Sequence, residues 1–243
     1  MKRIVIFLLV AVVAFLAVSY CRNLPLNPKE KNTTQPKSEK TSRVTSENKP
    51  FVKISNMDGT VNDHYYVDLG LSVKWATCNI GATSPSDYGN HYAWGETSPK
   101  SEYVQNNSKT FGKDMGDISG NSLYDVARAT WGATWRLPTD EEMLELIDNC
   151  TWTWTTQDGH DGYKVTGQNG NSIFLPAAGY HDGKSHDKVG IYGNYWCSTP
   201  NESNIKLAYG LDFNSSEQDF HTSAYDMGCF NRYCGFSVRP VVE

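Results

Sequence analysis

Fifteen apolar residues in a row, Ile4 to Val18, follow a charged Lys2-Arg3 pair. The run has signal-peptide length and is short for a membrane span, so residues 1–20 read as an export signal outside the fold. The pattern then breaks down. Residues 21–50 hold Leu24, Leu26 and Val44 as their sizeable aliphatics among prolines, hydroxyls, amides and charges. That is too little apolar surface to offset the entropy of ordering, so the segment reads as a disordered tether linker. Patterned sequence resumes at Phe51, and residues 51–243 are long enough to bury one core without help from metal or disulfides.

Within that domain the periodicities are short. "HYYVDLGLSVKWATCNIG" (64–81) predicts two strands around Gly70, and the breakers from Pro85 to Gly120 make 82–120 loop-rich. "SLYDVARATWG" predicts a helix over 122–132, ending at Gly132. A second helix follows Thr139, whose side chain and Glu142 form a capping box, with Met143, Leu144, Leu146 and Ile147 at helical spacing. "TWTWTT" (151–156) alternates as a half-buried strand does. "GYKVTGQNGNSIFLPAAGY" predicts a hairpin with Asn169-Gly170 at its tip. "YWCST", "LAYGLDF" and "FSVRPVV" predict three more strands, the last confined by Pro240 to an edge. Many strands and little helix make the expected class α+β.

Charge changes the picture next. Nine Lys or Arg against three Glu precede residue 51, so residues 51–243 carry −11 of a total of −5. Such an acidic domain is a poor nucleic-acid binder, and that partner class is dismissed. At the end of the signal, "VSYC" is similar to a lipobox and would make Cys21 the lipidation site. Ala17-Val18-Ser19 offers ordinary cleavage instead, and an uncleaved anchor is the third outcome. Contact with a membrane is expected only through this N-terminal lipid or anchor.

The segments in order resemble a known family. "YVDLGLSVKWATCNIGA", "HYAWGETSPKSEY", "ARATWGATWRLPTDEEM", "NCTWTWTTQDGHDGYKVTGQNGNSIFLPAAGY", "YWCST" and "GFSVRPV" are similar to the Fibrobacter succinogenes major paralogous domain of exported Bacteroidetes proteins. More distantly, "WRLPT", "YWCST" and "VRPV" resemble the C-terminal domain of a Legionella collagen-like adhesin and the formylglycine-generating, sulfatase-modifying enzymes. The resemblance implies a C-type-lectin-like fold whose first and last strands pair and whose long loops decorate one end. It licenses no activity by itself. It also implies an architectural role for the helix entrance, with the Arg136 fork satisfying carbonyls or a carboxylate and Trp135 filling core volume.

Candidate chemistry is sparse. Cys78, Cys150, Cys197, Cys229 and Cys234 lie in an exported domain where disulfides are permitted. Cys229 and Cys234 are spaced like the oxidising pair of the formylglycine-generating enzymes, but Gly235-Phe236 follows at once, which favours a local disulfide or two free thiols. His160-Asp161, His181-Asp182 and His186-Asp187 are residue types that a zinc site uses. They are equally ordinary turn chemistry, so no metal and no cofactor is expected. The sequence Thr199-Pro200-Asn201 lacks the acid of a calcium-dependent sugar site. No catalytic residue is assigned. The expected function is a surface-tethered, non-catalytic binding or adhesion module for a glycan or protein, in the outer membrane or at the cell surface, with a periplasmic face as an option. The alternatives are a cysteine oxidase and a structural component of a surface assembly. Its binding residues are expected on two loops, 91–96 and 179–195. Tyr92, Trp94, Tyr180 and Tyr192 would serve as flat platforms, with His181, Asp182 and Asn194 as polar neighbours.

Overall fold

The computed structural model describes residues 57–215 and 225–243. The segments expected to be an export signal and a linker, with Cys21, lie outside the described residues. What is described is mostly antiparallel strand with two helices, an α+β arrangement. Among the described residues no helix is long and apolar enough to cross a membrane.

The first sheet joins both ends of the described chain. It runs in the order β1 (Gly59–Val61), β2 (His64–Val67), β3 (Lys74–Ala76), β12 (Val241–Val242). Val241 lies opposite Trp75 and Val242 opposite Lys74. Pro240 precedes this edge strand, where its missing N–H costs no ladder bond. The expected strand over "FSVRPVV" is shorter than its apolar pattern, because Gly235 to Ser237 make only single bridges to His181, Tyr92 and Tyr195.

The two helices differ in how their starts are written. The first, α1 (Val126–Trp131), begins four residues later than periodicity predicts. Asp125 is the reason: its carboxylate accepts the N–H groups of Gly120, Ala127, Arg128 and Leu137 at 2.7–3.2 Å, and a capping carboxylate fixes the first turn. The second, α2 (Asp140–Asn149), starts where the capping box predicts. The Glu142 N–H donates to the Thr139 hydroxyl at 3.2 Å and the Thr139 N–H donates to the Glu142 carboxylate at 2.9 Å. Arg136 grips the same carboxylate with two bonds of 2.8 and 2.6 Å, and Trp135, fully buried, donates its indole N–H to the Val61 carbonyl at 2.8 Å.

After α2 come β4 (Thr151–Gln157), β5 (His160–Thr166) and β6 (Ser172–Pro176), a meander whose second turn carries Asn169-Gly170 as expected. A short hairpin follows, β7 (Tyr180–Asp182) with β8 (Ser185–Asp187). The last sheet is β9 (Tyr192–Pro200), β10 (Leu207–Asn214) and β11 (Tyr225–Asn231), with β10 in the middle.

Two apolar clusters form the core. One gathers Trp75, Leu146, Val165, Tyr195, Leu211, Phe213 and Val241; the other gathers Ala76, Trp94, Trp135, Trp196, Phe236 and Val242. Successive residues of β3, β9 and β12 divide between the two, because side chains alternate across a strand. Those three strands are therefore walls with a core on each side.

Candidate functional site

The two loops expected to bind do come together, but as a histidine cluster. Loop 91–96 is stitched to the chain before β12: Tyr92 exchanges backbone bonds with Phe236 at 2.9 and 3.0 Å, and the Trp94 N–H donates to the Arg232 carbonyl at 2.9 Å. The β7–β8 hairpin is stitched to the same segment, since His181 exchanges both its backbone bonds with Gly235 at 2.9 Å. Tyr103 ties the two together. It exchanges backbone bonds with Gly183 at the hairpin turn and donates its hydroxyl to the His91 carbonyl at 2.6 Å. Gly235 is needed for this approach, because a Cβ there would stand 2.6 Å from the Tyr103 ring. Gly179, with φ +67°, likewise lets the Asp187 carbonyl pass where a Cβ would be 2.2 Å from it.

This stitching brings three imidazoles to one place. Ring centroids are 4.9 Å apart for His91–His181, 4.9 Å for His91–His186 and 4.3 Å for His181–His186, the last pair stacked at 17°. One nitrogen from each lies within 4.8 Å of the others. His181 and His186 are directly opposed across the hairpin. Because the backbone bonds of His181 point to Gly235, the pair is of the non-hydrogen-bonded kind, in which side chains sit closest.

The three rings differ in exposure. His91 is buried, His181 half-buried and His186 exposed. Burial lowers the His91 pKa to about 3, with the neighbouring His181 and His186 adding to the effect and the backbone of Gly179 and Ala178 opposing it. His181 is lowered too, first by burial and then by His186. Both are therefore neutral bases at physiological pH. The His186 Nε2 lies 2.8 Å from the Ala178 carbonyl. A carbonyl only accepts, so Nε2 carries the proton and the lone pair is left on Nδ1. The His91 Nε2 is buried without any hydrogen-bond partner.

The expected platform needs correction. Tyr92 and Trp94 are 3% and 1% exposed, so neither offers a face to a ligand. Trp94 donates its indole N–H to the Cys197 carbonyl at 2.9 Å, and the Arg232 guanidinium covers its ring at 4.3 Å. Asn194 is buried on β9. Strand β9 has core on both sides, and loop 91–96 packs into the second cluster, which leaves these three no surface. Tyr180 and Tyr192 remain half-buried, with the Lys188 ammonium 5.6 Å above the Tyr192 ring, and Asp182 is exposed beside His181. His160 stays apart from the cluster and packs against Tyr88 at 4.7 Å. His91 was the residue that sequence patterning missed. It carries no local signal, since its partners lie some ninety positions away.

Of the two outcomes expected for Cys229 and Cys234, a local disulfide or unbridged thiols, the structure shows the second. Among the described residues no disulfide joins Cys229 to Cys234 or any other two of the five cysteines. Cys229 is buried in β11 opposite Tyr209, its sulfur 3.1 Å from the Asn201 amide. Cys234 follows the turn at Asn231 and packs with the second core cluster. Burial pushes the Cys234 thiol up to about 12, and the nearby Asp182 adds to this. It is thus a protonated thiol at neutral pH and a poor nucleophile. A recess of about 260 Å³ lined by Leu69, Leu71, Glu145 and Asn149 shares no residue with the histidines.

Set against family models, curated proteins and solved structures, the chain matches none of them.

Proposed function

We propose that this is an exported, surface-tethered, non-catalytic binding module of the Fibrobacter succinogenes major paralogous type, with a C-type-lectin-like fold. That fold would bring the first and last strands together; here β1 and β12 share one sheet, although β12 pairs with β3 and β1 with β2, and Arg136, Trp135 and Thr139 are occupied with holding a helix entrance. The observation that carries the binding reading is the convergence of loops 91–96 and 179–195 on one end, where Asp182 and the run from Lys184 to Val189 stand exposed. A rigid base under an exposed polar hairpin suits recognition of a glycan or a protein. With −11 over residues 51–243, neutral glycans or basic protein patches should outrank sulfated polymers.

A glycan array and a matrix-protein pull-down test this, run with wild type, Asp182→Ala and Tyr192→Ala. Loss of ligand affinity in either variant with nearly unchanged unfolding is the expected result. Strong, salt-sensitive heparin binding would contradict the charge argument, and no binding at all would favour a structural component of a surface assembly. The oxidase alternative has its own assay. Oxygen consumption with a cysteine-bearing peptide, abolished by Cys234→Ser, would overturn the non-catalytic reading. The protonated Cys234 thiol argues against that outcome.

A further inference from the structure

The cluster of His91, His181 and His186 has a chemistry of its own, independent of any macromolecular ligand. The geometry points to a three-histidine site for a single borderline divalent transition ion, zinc being the type case, with its remaining coordination position open on the His186 side. Three imidazoles with a vacant fourth position form a recognised zinc donor set, and the same set takes copper and nickel.

Four observations support this. The first is the orphaned His91 Nε2, a buried ring nitrogen with no hydrogen-bond partner on a residue only 6% exposed. Leaving such a group unpaired is costly, and a metal ion would satisfy it. The second is proximity. Tetrahedral coordination at zinc–nitrogen lengths of about 2.0–2.1 Å sets donors roughly 3.4 Å apart. The three nitrogens already lie within 4.8 Å, and two belong to one hairpin, whose His186 is exposed. The third is the outer hydrogen bond from His186 Nε2–H to the Ala178 carbonyl, which fixes the tautomer that presents Nδ1. The fourth is rigidity. Tyr103 and Gly235 lock the loop carrying His91 to the hairpin carrying the other two, so the donors are held together before any ion arrives. Simple stacking accounts for the parallel His181 and His186 rings, but not for a His91 Nε2 buried without a hydrogen bond.

The test uses the full chain, produced without a histidine tag and stripped by chelator, with Zn2+ alone as the probe in competition with a chromogenic chelator. Wild type is expected to take up one ion per chain. His186→Ala should weaken binding by more than about 100-fold, beyond what losing an outer-shell partner costs. His181→Ala/His186→Ala should abolish it, and His160→Ala should leave it unchanged. Near-ultraviolet circular dichroism in chelator checks that each variant is folded. The exposed His186 variant keeps the test decisive should the double variant unfold. Co2+ substitution supplies a second readout: visible bands of tetrahedral coordination without a near-ultraviolet thiolate charge-transfer band. Equal uptake by wild type and the His186→Ala or double variant would overturn the site, as would a thiolate band marking cysteine as the ligand.

Discussion

The helix entrance and the histidine end handle polar groups withdrawn from water in opposite ways. At the entrance, Arg136, Thr139 and Glu142 close on one another, and the Glu142 carboxylate takes two guanidinium bonds and a backbone N–H. Deeper in, Arg239 is fully buried, yet its Nε, Nη1 and Nη2 reach Asn79 and the carbonyls of Ala76, Thr77 and Phe174 at 2.8–3.0 Å. At the histidine end, His91 is nearly as buried and leaves one nitrogen bare. A fully partnered polar network specifies structure; a partly partnered one with converging donors is poised for something from outside. A bare atom alone does not mark such a site, since the core Trp75 Nε1 is bare too; the convergence of three imidazoles on it does.

Four substitutions probe this contrast, in order of decreasing effect on chemical denaturation. Arg239→Ala should be the most damaging, at about 3–5 kcal/mol, since it takes a donor from three carbonyls and from the Asn79 Oδ1 in the core. Arg136→Met removes the two charged hydrogen bonds to Glu142 and should cost about 1.5–3 kcal/mol. Thr139→Ala loses one cap and should cost about 1 kcal/mol. His186→Ala, exposed, should stay within about 0.5 kcal/mol of wild type when a chelator is present. A large loss there would make the histidine end another structural network and erase the contrast.

What was legible in the sequence follows the range of the signal. The Thr139 capping box and the Asn169-Gly170 turn are spelled by residues within a few positions of each other, and both stand where expected. Start of α1 was misplaced because Asp125 serves donors on both flanks, from Gly120 to Leu137. The Asp158-Gly159 turn between β4 and β5 carries a comparable local signal and was readable in principle. The platform at Tyr92 and Trp94 was misread for a different reason. An aromatic residue in a Gly-rich loop looks the same whether it faces water or core, and only the arrival of Arg232 and Phe236 decides. His91 depends entirely on such arrivals. Two of the three histidines of the metal-type set, His181 and His186, could be seen as residue types, but not their meeting with His91.

The pairing of β3 with β12 has a consequence for how the chain matures. Lys74–Ala76 is emitted early, yet its edge partner, Val241–Val242, comes more than 160 residues later. Contacts of such sequence separation slow folding, because a long loop must close before they form. Trp75 and Ala76, the bases of the two core clusters, would thus lack their final cover until the tail is delivered. A chain stalled or clipped just ahead of Val241 would present an unpaired strand edge to its neighbours, the kind of surface on which chains aggregate.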